Sequence, residues 1–173
     1  MLTASKISTM SKPGLAQLLR EGHAIDPESL VGDYRGVSLG LPRTLEQLTW
    51  KTFRKSFFRG ESGRIEGHNV RMQQTGLNGP RMPVMKDGAP VVFGPFVVTE
   101  LPEDGGPFGC HRGVLLDYGA RHPAWHPLAG VRDPLVALVE GSSELLLGAT
   151  YLAFGPLGIR TPSFFTLERE RAS

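Results

Sequence analysis

At 173 residues and a formal net charge of +2, the chain has room for one domain with a full core, and its charge is too small to mark a nucleic-acid surface. Hydrophobic residues make up 40% and charged residues 21%, which excludes a disordered chain. A single cysteine, Cys110, excludes an intramolecular disulfide and a cysteine-rich zinc site.

The first residues, MLTASKISTMSKPG, carry no apolar h-region and read as no secretory signal. No run reaches the roughly 18 apolar residues of a spanning helix. The expected location is the cytoplasm, with no membrane and no nucleic acid as partner. Residues 1–12 are small and polar and read as a flexible tail, leaving 13–173 as a single domain.

Ser11 is placed to cap a short helix with Pro13 in its first turn; Leu15, Leu18 and Leu19 form its apolar stripe and Gly22 ends it. This helix is expected on the outside of the domain or across one end. Leu30 to Gly36 reads as a first strand. From Pro42 to Arg59 the spacing predicts a longer helix, with Leu45, Leu48, Thr49 and Thr52 on one stripe and Trp50, Phe53 and Phe57 on another. Lys51, Lys55 and Arg59 recur every four residues as its solvated basic stripe, or as an anion contact.

After Gly60 the period changes to two. Strands are expected at 64–73, about 82–85, 89–101, 111–118, 134–140, 144–154 and 163–169. Asp87-Gly88 and Gly141-Ser142-Ser143 supply hairpin turns, and Gly94-Pro95 suggests a bulge within its strand. The 22 glycines and 14 prolines are spread along the chain, as many short strands joined by tight turns require. Val91, Phe93 and Val97 alternate with Val92, Phe96 and Val98, so this strand is apolar on both faces and needs cover outside as well as an interior. The expected fold is mainly β: an antiparallel β-barrel with one short N-terminal helix and one longer helix between the first and second strands.

Gly32-Asp33-Tyr34-Arg35-Gly36 is similar to the GXWXG signature of a group of bacterial lipocalin-like domains, with Tyr34 in place of the tryptophan. Trp50-Lys51-Thr52-Phe53-Arg54-Lys55-Ser56-Phe57 resembles the aromatic segment that ends their following helix. Leu145-Leu146-Leu147-Gly148 and Pro162 to Arg169 resemble their closing strand pair. The resemblance implies a calycin-type barrel with an internal cavity, and it supplies no activity.

Several residues are candidates for chemistry. Asp117 and Tyr118, at a strand end, are the first choice for acid–base catalysis; the alternative for Asp117 is a pair with Arg132 that fastens the loop. Arg71 shares a strand face with Asn69 and would meet a ligand carboxylate if it pointed inward. Tyr34 and Tyr151 offer hydroxyls, and Trp50, Phe53 and Phe93 offer apolar surface, to a ligand in the interior. Trp125 sits in a rigid loop with His122 and His126, read as a gate over the barrel mouth. The two histidines do not amount to a metal site, because the loop prolines forbid a shared helical face, and no cofactor is expected.

No phosphate loop, nucleophile elbow or zinc-protease motif is present. The expected function is binding of a small hydrophobic or amphipathic molecule in the barrel cavity. The alternatives are a cofactor-free isomerase, cyclase or lyase on the same scaffold, or a structural or interaction domain; a second copy of the chain is the one protein partner left open.

Overall fold

Among the described residues, eight of ten strands stand side by side in a ring, and the first pairs with the last. The computed structural model describes residues 3–39, 51–75, 79–80, 82–155 and 157–170. Its strands are β1 (Gly32–Leu39), β2 (Thr52–Arg59), β3 (Ile65–Arg71), β4 (Met85–Lys86), β5 (Ala89–Pro90), β6 (Val92–Thr99), β7 (Val114–Asp117), β8 (Val131–Val139), β9 (Ser142–Phe154) and β10 (Leu157–Arg169). The wall runs β1-β2-β3-β6-β7-β8-β9-β10, and β10 returns to β1; β4 and β5 form a separate two-stranded hairpin. Val37 closes the ring, facing Thr52 on one side and Thr166 on the other. Every pairing is antiparallel and joins strands that follow one another around the wall. Closure leaves no strand edge in the barrel, and eight strands enclose a space that side chains nearly fill.

The period-two pattern sorts side chains to two faces. Tyr34, Phe57, Phe96, Leu116, Leu135, Leu146 and Leu167 belong to the interior cluster. Their sequence neighbours Leu115, Val136 and Leu147, and Phe164 beside the interior Phe165, belong to a second cluster with Ile7, Leu15 and Leu19. This is the two-sided burial expected of the strands, and its outer cover is helical: α1 (Ala4–Ser8) and α2 (Lys12–Glu21). Ser11 caps α2 through the Gly14 N–H at 3.3 Å, and Leu15 and Leu19 are fully buried. Each contributes about 1.5–3 kcal/mol by leaving water.

Two expectations are corrected. Residues 1–12 are not all a loose tail, because residues 4–8 are helical and Ile7 is completely buried against the wall. The helix expected over 42–59 is not formed at its C-terminal end, where Thr52–Arg59 is β2. Residues 42–50 of that expectation lie outside the described residues. In β2 the residues Phe53, Lys55 and Phe57 alternate inward, so the aromatic spacing that mimics a helical stripe is also one face of a strand. Lys55 is accordingly not on a solvated stripe; it is 2% exposed. Among the described residues no helix is long and apolar enough to cross a membrane.

Small residues set the fit of the interior. A Cβ on Gly36, Gly67 or Gly148 would run into the rings of Phe53, Phe96 and Phe165 respectively, so each glycine is the floor on which a ring lies. Tyr34, Phe57, Phe96 and Tyr118 then form a chain of rings with successive centroids 5.4, 5.4 and 5.3 Å apart. These contacts fill the end of the barrel where β1 begins. The opposite end is where the interior remains open.

Candidate functional site

At that open end lies a cavity of about 230 Å³. Its lining comes from seven of the eight barrel strands and the segment before β8: Ser38, Phe53, Lys55, Asn69, Phe93, Tyr118, Leu128, Val131, Asp133, Thr150, Ser163 and Phe165. The lining is graded. Phe53, Phe93, Leu128, Val131, Ser38 and Ser163 are half-buried at the mouth, whereas Lys55, Asn69, Tyr118, Asp133 and Phe165 are buried at the floor.

The floor is one hydrogen-bonded network. The Lys55 ammonium donates to Asn69 Oδ1 at 2.9 Å, to the Tyr118 hydroxyl at 2.5 Å and to Asp133 Oδ2 at 3.4 Å. Tyr118 in turn donates to Asp133 Oδ2 at 3.2 Å, and Thr150 Oγ1 donates to Asp133 Oδ1 at 2.8 Å. Asn69 Nδ2 donates to the Gly94 carbonyl at 3.2 Å and to the Tyr118 hydroxyl at 3.3 Å, which fixes the amide orientation. Rings surround the nitrogen: Lys55 Nζ is 5.0–5.6 Å from the centroids of Phe96, Tyr118, Phe165 and Phe53. A cation there is stabilised by the ring faces as well as by the carboxylate.

Local backbone chemistry makes this convergence possible. Gly94 has φ +53°, in the left-handed region, and the β3–β6 register shifts between Gly67 and Asn69. The expected bulge at Gly94-Pro95 is therefore real, and it serves the site. A Cβ at Gly94 would stand 3.0 Å from Asn69 Nδ2 and 3.1 Å from Tyr118 Cε1. Only glycine permits both the turn of the chain and the approach of these two side chains.

Burial governs the protonation of the network. It pushes the Lys55 amine below its usual 10.5, an effect partly opposed by the Asp133 charge and hydrogen bond. It also pushes the Tyr118 hydroxyl well above 10.0, reinforced by the neighbouring Asp133 carboxylate. The site therefore holds an amine that gives up its proton more readily than an exposed lysine, beside a phenol that keeps its own.

The residues singled out in sequence are divided by the fold. Phe53, Phe93 and Tyr118 line the cavity. Asp117, next to Tyr118, does not: it pairs with Arg132 at 3.1 Å and accepts from the Ala120 N–H at 3.1 Å, the loop-fastening alternative. Arg71 is exposed at the end of β3, past the Asn69 that reaches the floor. Tyr34 is buried in the filled half, where its hydroxyl accepts from Arg169 and its ring lies 4.7 Å from that guanidinium. Tyr151 points outward into the cluster beneath the helices. Trp125 is 82% exposed and does not cover the mouth. It lies against His126, whose ring centroid is 4.2 Å from that of His122. No third ligand joins the two histidines among the described residues. Trp50 lies outside the described residues.

Three floor residues escaped the sequence reading: Lys55, Asp133, and Asn69 as the partner of Lys55 and Tyr118. The available signal was the alternation Phe53-Lys55-Phe57, a charge set between two rings on one strand face. No family model matches the chain, and no curated protein matches its sequence.

Proposed function

We propose that this chain is a cytoplasmic, lipocalin-like protein that binds a small amphipathic molecule in the open half of its barrel. The observation that carries the reading is the graded cavity of about 230 Å³, with four apolar side chains and two serines at its mouth and the Lys55, Asn69, Tyr118 and Asp133 network at its floor. That volume is below the ~300–1,000 Å³ of drug-sized sites, so the ligand is compact. Its apolar body would lie among Phe53, Phe93, Leu128 and Val131, and its polar end would meet Lys55, Tyr118 and Asp133. A ligand with a polar end is favoured over a pure hydrocarbon, because it can add hydrogen bonds to the floor network that a hydrocarbon cannot make.

The test is a titration of isotope-labelled protein with benzyl alcohol and, in parallel, with cyclohexane. The proposal expects the alcohol to perturb the resonances of Phe53, Phe93 and Leu128 in a saturable way, and the hydrocarbon to bind more weakly. Perturbations confined to the outer cluster around Leu15 and Tyr151 would overturn it.

A second reading, a cofactor-free enzyme, is favoured by one feature. Lys55, Tyr118 and Asp133 form a coupled proton network facing the cavity, and acid–base chemistry requires such a set. Of the two residues first chosen for catalysis, Tyr118 belongs to this network, while Asp117 is engaged by Arg132.

A further inference from the structure

We infer that Lys55 is a covalent carbonyl-binding residue: its Nζ forms a Schiff base with an aldehyde or ketone held in the barrel cavity. The inference rests on the binding reading above and names the ligand class of the same site. A lysine that merely neutralises a buried carboxylate needs no adjacent space. Here Lys55 belongs to the lining of an open cavity, is 2% exposed, and has four aromatic rings 5.0–5.6 Å from its nitrogen. The other lysines described, Lys6, Lys12, Lys51 and Lys86, lie outside that lining, and Lys6, Lys12 and Lys86 are exposed.

The groups around the nitrogen provide for each proton. The ammonium passes a proton to Asp133, leaving a neutral amine. Its lone pair attacks the carbonyl carbon, a C–N bond forms, and the C–O π electrons move to oxygen. That oxygen takes the proton back from the Asp133 carboxyl, and the nitrogen then returns one of its own, giving a neutral carbinolamine. Protonation of the carbinolamine hydroxyl by Asp133 lets the C–O bond break and water leave. The product is a protonated imine, with Asp133 again a carboxylate and now its counter-ion. Net charge is conserved, and no oxidant, reductant or cofactor is consumed. Tyr118 keeps its proton throughout and donates to the oxygen as it gains negative charge. The lowered basicity of Lys55 supports the first step, since it raises the neutral fraction of the amine at neutral pH.

The experiment incubates the full chain at neutral pH with benzaldehyde and sodium cyanoborohydride, then locates N-benzyl lysine by peptide mapping. A parallel titration with benzyl alcohol, which cannot condense, reads binding alone. Labelling of Lys55 in preference to Lys6, Lys12 and Lys86 is expected, because the cavity would hold the carbonyl beside Lys55 and burial raises the neutral fraction of its amine. Loss of that label in Lys55→Met, with surface labelling unchanged, is the expected control; the mapping of the unaltered protein stands whether or not this variant folds. Labelling of the exposed lysines with Lys55 untouched, while the alcohol still perturbs Phe53 and Phe93, would overturn the Schiff base and leave the binding reading standing. Absence of both the Lys55 adduct and the alcohol response would overturn both.

Discussion

Lys55 on β2 and Asp133 on β8 meet 3.4 Å apart inside the barrel, from strands separated by three others whichever way the wall is followed. The pair is a tie across the diameter of the barrel, made between residues 78 positions apart in the chain. It costs desolvation of two charges, which the Asn69, Tyr118 and Thr150 hydrogen bonds offset.

Breaking this tie on one side leaves a buried charge without its partner. Lys55→Met and Asp133→Asn are each expected to destabilise the protein by about 3–5 kcal/mol. The double variant should recover much of that loss, because neither charge is then stranded. Urea denaturation of all three proteins measures the coupling; simple additivity of the single losses would show that the two groups do not depend on each other.

Two buried groups of the cavity floor, Lys55 and Tyr118, give opposite alkaline signatures. The folded-state value of Lys55 lies below its ordinary 10.5, so between the two values the unfolded chain binds more protons. Stability therefore rises with pH across that window through this group. The folded-state value of Tyr118 lies well above 10.0, so its contribution is fully present below pH 10.0 and is lost as pH rises through the folded value. Tyr118→Phe should reduce the alkaline loss, leaving the part due to the buried Tyr34 and Tyr151 hydroxyls and the Cys110 thiol, and should leave the Lys55 rise. In Asp133→Asn the Lys55 midpoint should fall further, followed by the Cε chemical shift; a midpoint at or above 10.5 in the unaltered protein would contradict the burial argument.

Gly94 is expected to tolerate no side chain. Gly94→Ala forces a Cβ at positive φ and against Asn69 and Tyr118, with an expected cost of about 1–3 kcal/mol. Because both neighbours belong to the cavity floor, the same variant should weaken benzyl alcohol binding. Gly141, also at positive φ but with open space around its Cβ position, serves as the comparison: Gly141→Ala pays the backbone strain and should leave the cavity unaffected.

Ile7→Ala separates a docked helix from a loose tail. Ile7 is fully buried in the outer cluster, so truncation should cost about 2–5 kcal/mol. It should not change ligand binding, since a strand lies between it and the cavity. No measurable loss of stability in thermal or urea unfolding would indicate that α1 does not hold to the wall.

Much of the architecture was legible because strand periodicity is local. The segments around Phe96, Leu116, Leu135 and Leu146 carry period-two patterns with turn residues between them, and the barrel follows from their number and spacing. β2 was misread for a physical reason. Phe53 and Phe57 are four apart, a spacing shared by one face of a helix and one face of a strand, and the intervening Lys55 breaks the hydrophobic alternation that would have decided between them. The same lysine hid the site: as one of three basic residues four apart it read as the solvated stripe of the expected helix, and only the partner Asp133 reverses that inference. Pairing across the barrel is a property of closure and leaves no trace in local sequence. Tyr34 and Tyr151 show the complementary difficulty, since an amphipathic side chain on a strand is equally suited to a cavity, a core or an outer layer.

The interior is divided along its axis, with the ring chain from Tyr34 to Phe96 packed solid at one end and the cavity at the other. This separates what must be kept from what can be exchanged. Substitutions at Phe93 or Ser163, mouth residues outside the interior cluster, alter the shape of the cavity, whereas Phe53 and Leu128 also pack against that cluster. Under the proposed binding function, such a division would let a rim residue change which small molecule fits while the buried Lys55 stays in place.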